Sequence, residues 1–260
     1  MGAMALRVGA QSPADEILNA SRNALGGGKL SEVKTLAVWG PDKHGAQTSV
    51  LSLSIDLSGK ILKEQTSYSS GGEIQRAAIG DDGAIMSGGG MPGDNGGPAL
   101  SATLTEGLNG YDYWARTGAG SNPLGKPEDA SAAPRKHSFI ANYVRYVLAL
   151  TLAPPGNIPV TFTAAGTLDS PRGKVDAIDI KGPDGFQTQL YIESKTHLPV
   201  MMQYREGATD VQLWLKEYKQ EEGILFPHVM TWIANGTLSE EFQIQHFKIN
   251  PKLRAEKFRK

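Results

Sequence analysis

The residue types that carry out most enzyme chemistry are missing from this 260-residue chain or widely separated in it. The chain contains no cysteine, which excludes thiolate nucleophiles and disulfide scaffolds. A serine nucleophile of the common hydrolase kind stands in a Gly-x-Ser-x-Gly turn, and the sequence contains no such turn. The sequence therefore predicts a protein that is not an enzyme and has no catalytic residues.

Metal ligands are also sparse. No His-Glu-x-x-His motif occurs, and the five histidines lie far apart along the chain. Folding can still bring His228 and His246 together on adjacent strands as a metal pair, although two separate histidines on strand surfaces are the commoner arrangement. Asp94-Asn95-Gly96 matches the start of a calcium loop but lacks the glutamate that closes it. We predict neither a metal site nor a cofactor.

Two long irregular segments interrupt the chain, at residues 87–98 and 118–137. The first holds six glycines and two prolines, but a phosphate-binding loop would need Lys-Ser or Lys-Thr directly after the glycines. Just before it, Asp81-Asp82-Gly83 favours a tight turn between two strands rather than paired acid–base catalysis. Loops of this length are typical of lids, insertions or connections without regular structure.

Two amphipathic helices must position whatever site exists. The first is capped by Ser12 and ends at the glycines 26–28, and its apolar face is spaced as in a helix. The second is predicted over residues 139–152 and ends before Pro154-Pro155. Its apolar run from Tyr143 to Leu152 is interrupted by Arg145.

Most of the remaining chain alternates between apolar and polar residues, as half-buried strands do. Short turns such as Asn235-Gly236 separate the later candidates, so strands that are neighbours in sequence should be neighbours in the sheet. The predicted strands are 33–39, 48–57, 61–68, 160–168, 174–181, 186–193, 198–205, 210–219, 224–234 and 237–249.

One antiparallel sheet of so many strands must twist and curl. We therefore predict a mainly β (α+β) fold: an open, strongly curved antiparallel sheet or incomplete barrel, with two or more helices as lid or plug. Such a sheet leaves an apolar groove under the helices. The alternative, a sheet closed on packed side chains with no cavity, stays open at this point.

The net charge and the two ends of the chain give fewer indications of function than the helices and strands do. A net charge of −1 gives no reason to expect a nucleic-acid partner, and no apolar stretch is long enough for a transmembrane helix. We interpret residues 1–11 as a tag remnant and flexible tail, and 12–260 as a single domain. Val8-Gly9-Ala10 has the form of a signal-peptidase site, so these residues are either the stub of a removed signal peptide or an ordinary tail. The basic end, 252–260, is interpreted as solvated, with contact to anionic lipid headgroups as the alternative.

Five local phrases resemble the LolA/LolB-like outer-membrane lipoprotein-sorting superfamily, and together they span nearly the whole chain. They are residues 17–27 (Ile-Leu to Leu-Gly-Gly), 109–114 (Asn-Gly-Tyr-Asp-Tyr-Trp), 191–200 (Tyr-Ile-Glu-Ser-Lys-Thr-His-Leu-Pro-Val), 223–228 (Gly-Ile-Leu-Phe-Pro-His) and 247–251 (Phe-Lys-Ile-Asn-Pro). The sequence departs from the family in its glycine-rich segment and its second long loop.

The resemblance implies an open barrel with a helical lid and a hydrophobic cavity, in a periplasmic or otherwise exported protein of the bacterial cell envelope. The implied function is a carrier that binds lipid acyl chains or lipoproteins in the groove. The alternative is a cell-envelope sensor or protein-interaction module that uses the same fold without lipid transport. Burial of a 16-carbon chain would contribute roughly 10 kcal/mol before costs, which needs apolar area rather than exact polar geometry.

We predict that the groove is lined by a set of apolar residues from the second helix and the strands, each of which can equally be ordinary core. The lid residues are Tyr143, Val144, Val147 and Leu148, and the wall residues are Leu51, Leu53, Ile55, Leu190, Ile192, Met202, Leu213 and Leu215.

Overall fold

The structure is a computed structural model that describes residues 12–68, 78–79, 85–86, 100–117, 122–123, 132–171 and 173–260. The predicted loop 87–98, the predicted tail 1–11 and the turn Asp81-Asp82-Gly83 lie outside these residues. The α-helices are α1 (Pro13–Leu25), α2 (Gly28–Ser31) and α3 (Ala132–Thr151), and Pro183–Gly185 and Ala255–Phe258 form single 3-10 turns.

Helix α1 begins and ends where the sequence predicts. The Ser12 hydroxyl accepts a hydrogen bond from the Asp15 backbone N–H, while the Asp15 carboxylate accepts one from the Ser12 backbone N–H. This reciprocal pair satisfies donors that the first turn of a helix leaves free. Helix α3 begins at Ala132, inside the segment 118–137 that was predicted as loop. Residues 133–137 include no large apolar side chain and are mostly exposed, so apolar periodicity could not reveal this part of the helix.

Sixteen strands make up most of the described chain. They are β1 (Thr35–His44), β2 (Gln47–Asp56), β3 (Lys60–Tyr68), β4 (Ala78–Ile79), β5 (Ile85–Met86), β6 (Leu100–Asn109), β7 (Asp112–Thr117), β8 (Asn122–Pro123), β9 (Thr161–Ser170), β10 (Gly173–Lys181), β11 (Gln187–Glu193), β12 (Pro199–Glu206), β13 (Thr209–Glu221), β14 (Ile224–Ala234), β15 (Thr237–Gln243) and β16 (His246–Ile249).

One antiparallel sheet contains every strand except the small β4–β5 hairpin. Its order is β8-β7-β6-β3-β2-β1-β15-β14-β13-β12-β11-β10-β9, and β16 pairs with the free part of β1. The two ends of this order, β8 and β9, do not pair, so the sheet is not closed into a barrel. The predicted open antiparallel sheet with helices is confirmed. From β9 to β15 the strands follow one another in sequence and in the sheet, as the short turns predicted.

The predicted strand 237–249 is in fact two strands, β15 and β16. Ile244 and Gln245 leave the ladder between them and donate backbone hydrogen bonds to the carbonyls of His228 and Trp39, at 2.7 and 3.0 Å. The crossing passes so close to β1 that a Cβ on Gly40 would lie 1.9 Å from the Gln243 carbonyl oxygen. Only glycine fits at that point of β1.

The outer face of the sheet is covered at one end by the C-terminus. Phe258 is 1% exposed and packs with Leu62 and Trp114, and the Trp114 indole N–H donates to the Phe258 carbonyl at 3.0 Å. Phe258 therefore fixes this end to the sheet, whereas the basic side chains Lys252, Arg254, Arg259 and Lys260 are exposed, as predicted for a solvated end. Ser54 lies opposite Leu62 in the ladder and is also buried, so β2 is covered on both faces rather than half-buried.

Candidate functional site

The turns of the sheet fall on two edges, because antiparallel neighbours reverse direction. We call the upper edge the one that carries the turns 45–46, 182–186, 207–208 and 235–236, and the lower edge the one that carries 57–59, 110–111, 194–198 and 222–223. Helix α1 covers the lower edge: the Ser21 hydroxyl donates to the His197 carbonyl at 2.6 Å, and Gly26 lies against Gly223. Helix α3 starts at the upper edge, where Ser138 donates to Glu206 at 2.8 Å.

The twelve predicted groove residues come together in one hydrophobic core between α3 and the inner face of the sheet. Each of them is at most 3% exposed, and Leu215 is the most exposed of the set. In this structure they touch one another and not solvent, so no open groove runs along them. Whether they also bind a ligand stays a prediction. A ligand chain would have to take the place of contacts that α3 makes.

Helix α3 is held to the sheet by side chains. Within the described residues, no backbone hydrogen bond joins α3 to a strand. The Tyr143 hydroxyl donates to the Asp56 carbonyl at 3.0 Å, and Tyr146 meets Trp232 edge to face at 6.0 Å between ring centroids. At the C-terminal end of α3, the Arg22 guanidinium donates to the Leu152 carbonyl at 2.7 and 3.1 Å. The helix can therefore move without breaking the ladder of the sheet.

A cleft of about 940 Å³ opens at the upper edge, between the first half of α3 and strands β10 to β12. Pairing between β11 and β12 stops at Gln189 and Gln203, although β11 begins at Gln187 and β12 continues to Glu206. The two strands therefore diverge at this edge. The cleft is lined by residues that include Ser138, Arg145, Lys181, Phe186, Thr188, Gln203 and Tyr204.

Arg145 forms the back of this cleft and is 5% exposed. Its guanidinium carbon lies 3.5 Å from the centroid of the Tyr204 ring and 5.4 Å from that of Phe186, as in cation–π contacts. The Nη1 atom donates to the Asn142 amide oxygen at 2.8 Å, and Nε has no hydrogen-bond partner. Burial lowers the pKa of Arg145, but an arginine stays charged in a protein.

A second buried charge, Asp42, lies at the same edge on β1. Its side chain is fully buried, and Oδ2 accepts hydrogen bonds from Gln65 at 2.9 Å and Ser49 at 3.2 Å. His44, two residues along the same face, lies 3.3 Å from Glu240 and 3.8 Å from Asp42. Burial, followed by the charge of Glu240, raises the pKa of Asp42 to about 6. The hydrogen bond with Glu240 raises the pKa of His44 above its ordinary value.

Asp42, His44 and Glu240 are, within the described residues, the one group of three side chains close enough to share a metal ion, with ligand atoms within 4.8 Å of one another. The hydrogen bonds and ion pairs just described already bind these atoms to each other. The two histidines that were considered as a metal pair have other contacts: His228 Nδ1 is 2.9 Å from the Ile244 carbonyl, and His246 stacks on Trp39 at 5.1 Å.

Sequence reasoning missed both polar clusters at the upper edge. The signal for Arg145 was visible, because it interrupts the most apolar stretch of the chain. Its aromatic neighbours are 41 and 59 residues away in sequence, so no local pattern joins them. Asp42 and His44 share a strand face, but their third member, Glu240, is brought to them only by the pairing of β1 with β15.

Solved structures share this architecture. A DUF1329 family protein from Desulfovibrio piger ATCC 29098 superimposes with a TM-score of 0.54 and 9% identity, over 95% of this chain and 98% of that one. A LolA superfamily protein from Nitrosomonas europaea superimposes with a TM-score of 0.53 and 10% identity, over 95% and 97% of the two chains. No family model matches the sequence, and no curated protein matches it significantly. The LolA-like fold that the sequence resemblance implied is confirmed, and at this identity the likeness extends to the fold alone.

No helix within the described residues is long and apolar enough to cross a membrane.

Proposed function

We propose that the protein is a non-catalytic carrier that binds the acyl chain of a lipid or lipoprotein between α3 and the inner face of the sheet. The observation that supports this proposal most directly is the arrangement of the core. Four of the twelve apolar positions lie on α3 and eight on the strands that it packs against, α3 has no backbone hydrogen bond to the sheet within the described residues, and the sheet is not closed. The LolA-like fold supports the same proposal and suggests a periplasmic or otherwise exported protein of the cell envelope.

The energetics explain why the core is closed without a ligand. Exposure of one large apolar side chain costs about 1.5–3 kcal/mol, so displacement of the α3 stripe costs on the order of 10 kcal/mol. An acyl chain of 16 carbons regains a similar amount, at about 0.8 kcal/mol per methylene. The cost of displacing α3 and the gain from burying an acyl chain are therefore similar. The open state is comparable in free energy to the closed state only when an acyl chain takes over the contacts that the helix makes. We expect α3 to act as a lid that opens in exchange for a ligand.

The test is uptake of a fluorescent long-chain fatty acid, together with native mass spectrometry of the purified protein. Leu148→Ala truncates a fully buried side chain on the face of α3 that packs into the core. Leu62→Ala makes the same change in the separate cluster with Trp114 and Phe258. Both variants should lose about 2–5 kcal/mol of stability. Only Leu148→Ala should alter the affinity for the fatty acid, because only the cavity that it leaves lies in the proposed acyl-chain site between α3 and the sheet.

The outcomes separate clearly. Co-purified lipid, or uptake that changes in Leu148→Ala and not in Leu62→Ala, supports the carrier. Absence of uptake by the wild type, or equal changes in the two variants, contradicts it.

The second candidate is a cell-envelope sensor or interaction module in which the fold binds a protein and not a lipid. The specific observation in its favour is that all twelve groove residues are already buried against one another. A protein that takes up no lipid, but whose surface binds an envelope protein, would favour this candidate.

A further inference from the structure

Arg145 is a buried cation with no carboxylate of the described residues in salt-bridge contact. Within the described residues, no salt bridge involves Arg145, and its Nε has no hydrogen-bond partner although the side chain is 5% exposed. Its contacts are the Asn142 amide and the rings of Tyr204 and Phe186. A charge in such a place is costly unless a counter-charge and hydrogen bonds compensate it.

The acidic side chains that line the cleft form no salt bridge with Arg145, although, against the lowering effect of burial, the charge of Glu206 raises the pKa of Arg145. Each of them has a hydrogen-bonding or ionic partner elsewhere. The pairs are Asp179 with Gln189 at 2.8 Å, Glu206 with Ser138 at 2.8 Å and Asp210 with Arg205 at 3.0 Å. Arg145 thus lines the cleft, and its buried Nε is an N–H donor without a hydrogen-bond partner. A guanidinium presents its donors in a planar fork that matches the two oxygens of a carboxylate or a phosphate.

The cleft also adjoins the proposed lipid site. On β11, Thr188 in the cleft is followed on the same face by Leu190, and on β12, Tyr204 is followed by Met202. Leu190 and Met202 are directly opposite each other in the ladder and belong to the core beneath α3. A ligand with its polar end at Arg145 would have its chain on the apolar face of these two strands.

We propose that Arg145 binds the anionic oxygen group of the acyl ligand, a carboxylate or a phosphate, while the chain lies between α3 and strands β11 and β12. This inference rests on the proposed carrier function and adds the chemical class of the ligand. The ligand is a lipid with one anionic head group rather than a neutral lipid. The cation that interrupts the apolar stripe of α3 then has a role in ligand recognition. The Tyr204 ring, 3.5 Å from the guanidinium carbon, restricts the positions that the guanidinium can take.

The experiment compares ligands that have the same chain and different heads. Palmitate, a monopalmitoyl glycerol phosphate and hexadecanol compete with a fluorescent fatty acid for the wild type, Arg145→Met, Arg145→Lys and Arg116→Met. Arg116 is the matched control, because its guanidinium also lies over an aromatic ring, Trp114 at 5.0 Å, but outside the cleft. Thermal unfolding establishes that each variant is folded.

We expect the wild type to bind at least one of the two anionic lipids about tenfold more tightly than hexadecanol. The preference should disappear in Arg145→Met, fall in Arg145→Lys, which keeps the charge but not the fork, and persist in Arg116→Met. If palmitate binds more tightly than the monopalmitoyl glycerol phosphate, the head group is a carboxylate; the reverse order identifies a phosphate.

Two results would overturn the inference and leave the carrier proposal intact: equal affinity of the wild type for the acid, the phosphate and the alcohol, or an unchanged preference in Arg145→Met. If Arg145→Met does not fold, the wild-type comparison and Arg145→Lys still decide. If no chain ligand binds to the wild type, the carrier proposal itself fails and this inference fails with it.

Discussion

Two buried charges at the upper edge of the sheet, Asp42 and Arg145, have different surroundings. Asp42 Oδ2 accepts hydrogen bonds from Gln65 and Ser49 and lies within 4 Å of His44, whereas Oδ1 has no hydrogen-bond partner among the described residues. Arg145 contacts one amide and two aromatic rings, forms no salt bridge within the described part of the chain and lines a cleft, and its buried Nε has no hydrogen-bond partner there. Both side chains are at least 95% buried.

The difference indicates two roles. A buried carboxylate that accepts two hydrogen bonds and lies beside a histidine of the same chain contributes to the definition of the fold, since removal of a partner leaves the charge less compensated. A buried charge that forms no salt bridge and lines a cleft is the kind of group that a ligand completes. We therefore expect substitutions around Asp42 to change stability and substitutions of Arg145 to change binding.

The largest effect should follow from removal of a partner of Asp42. Gln65→Leu takes away the donor at 2.9 Å and should cost about 2 kcal/mol of stability at pH 8. The pKa of Asp42 in the folded protein is about 6, so the carboxylate is charged at pH 8 and neutral at pH 5. Because this pKa is raised, ionisation of Asp42 removes stability as the pH rises from its unfolded value of 3.8 through about 6. Gln65→Leu raises the pKa further, so its cost should be larger at pH 8 than at pH 5.

Urea denaturation at the two pH values measures this cost. The matched control is Gln189→Leu, whose amide donates to the partly exposed Asp179 at 2.8 Å and should matter by less than about 1 kcal/mol. An equal loss for Gln65→Leu at both pH values would contradict the account of Asp42.

The smallest effect on stability should come from Arg145. In the absence of ligand, Arg145→Met replaces a buried and incompletely partnered charge by an apolar side chain of similar length. Such replacements are often neutral or stabilising, so we expect the free energy of unfolding to change by less than about 1 kcal/mol. A loss of about 3 kcal/mol or more in the same denaturation assay would mean that Arg145 is structural, as Asp42 is, and would remove the contrast between the two charges.

The sequence was sufficient for most of the C-terminal sheet because each strand there ends at a turn with its own chemistry. Strand β14 was predicted at its observed bounds, and the buried faces of β11 and β13 were predicted from alternation alone. Strands β6 and β7 were not predicted as strands. Their pairing depends on Trp114 packing over Gly107, where a Cβ would lie 2.2 Å from the indole, and on the C-terminal segment beyond it.

The candidate site was predictable only in its apolar part. Periodicity predicts the burial of residues such as Leu190 and Leu213, since the alternation along a strand depends only on neighbours two positions away. Whether buried residues form a core or a ligand site depends on whether α3 moves, and no spacing of residues encodes this. The cleft depends on the divergence of β11 from β12, and the partners of Arg145 come from three separate elements.

The most direct test of the account is to fix α3 to the sheet. The chain has no cysteine, so Ser138→Cys with Glu206→Cys, joined by a short bifunctional thiol reagent, ties α3 to β12 across a contact of 2.8 Å. Thr167→Cys with Asp176→Cys replaces a similar contact of 2.6 Å between β9 and β10 and serves as the control. We expect the first cross-link to abolish uptake of a fluorescent fatty acid and the control cross-link to leave it unchanged. Full uptake by the protein with α3 tied down would contradict the claim that an acyl chain binds beneath this helix.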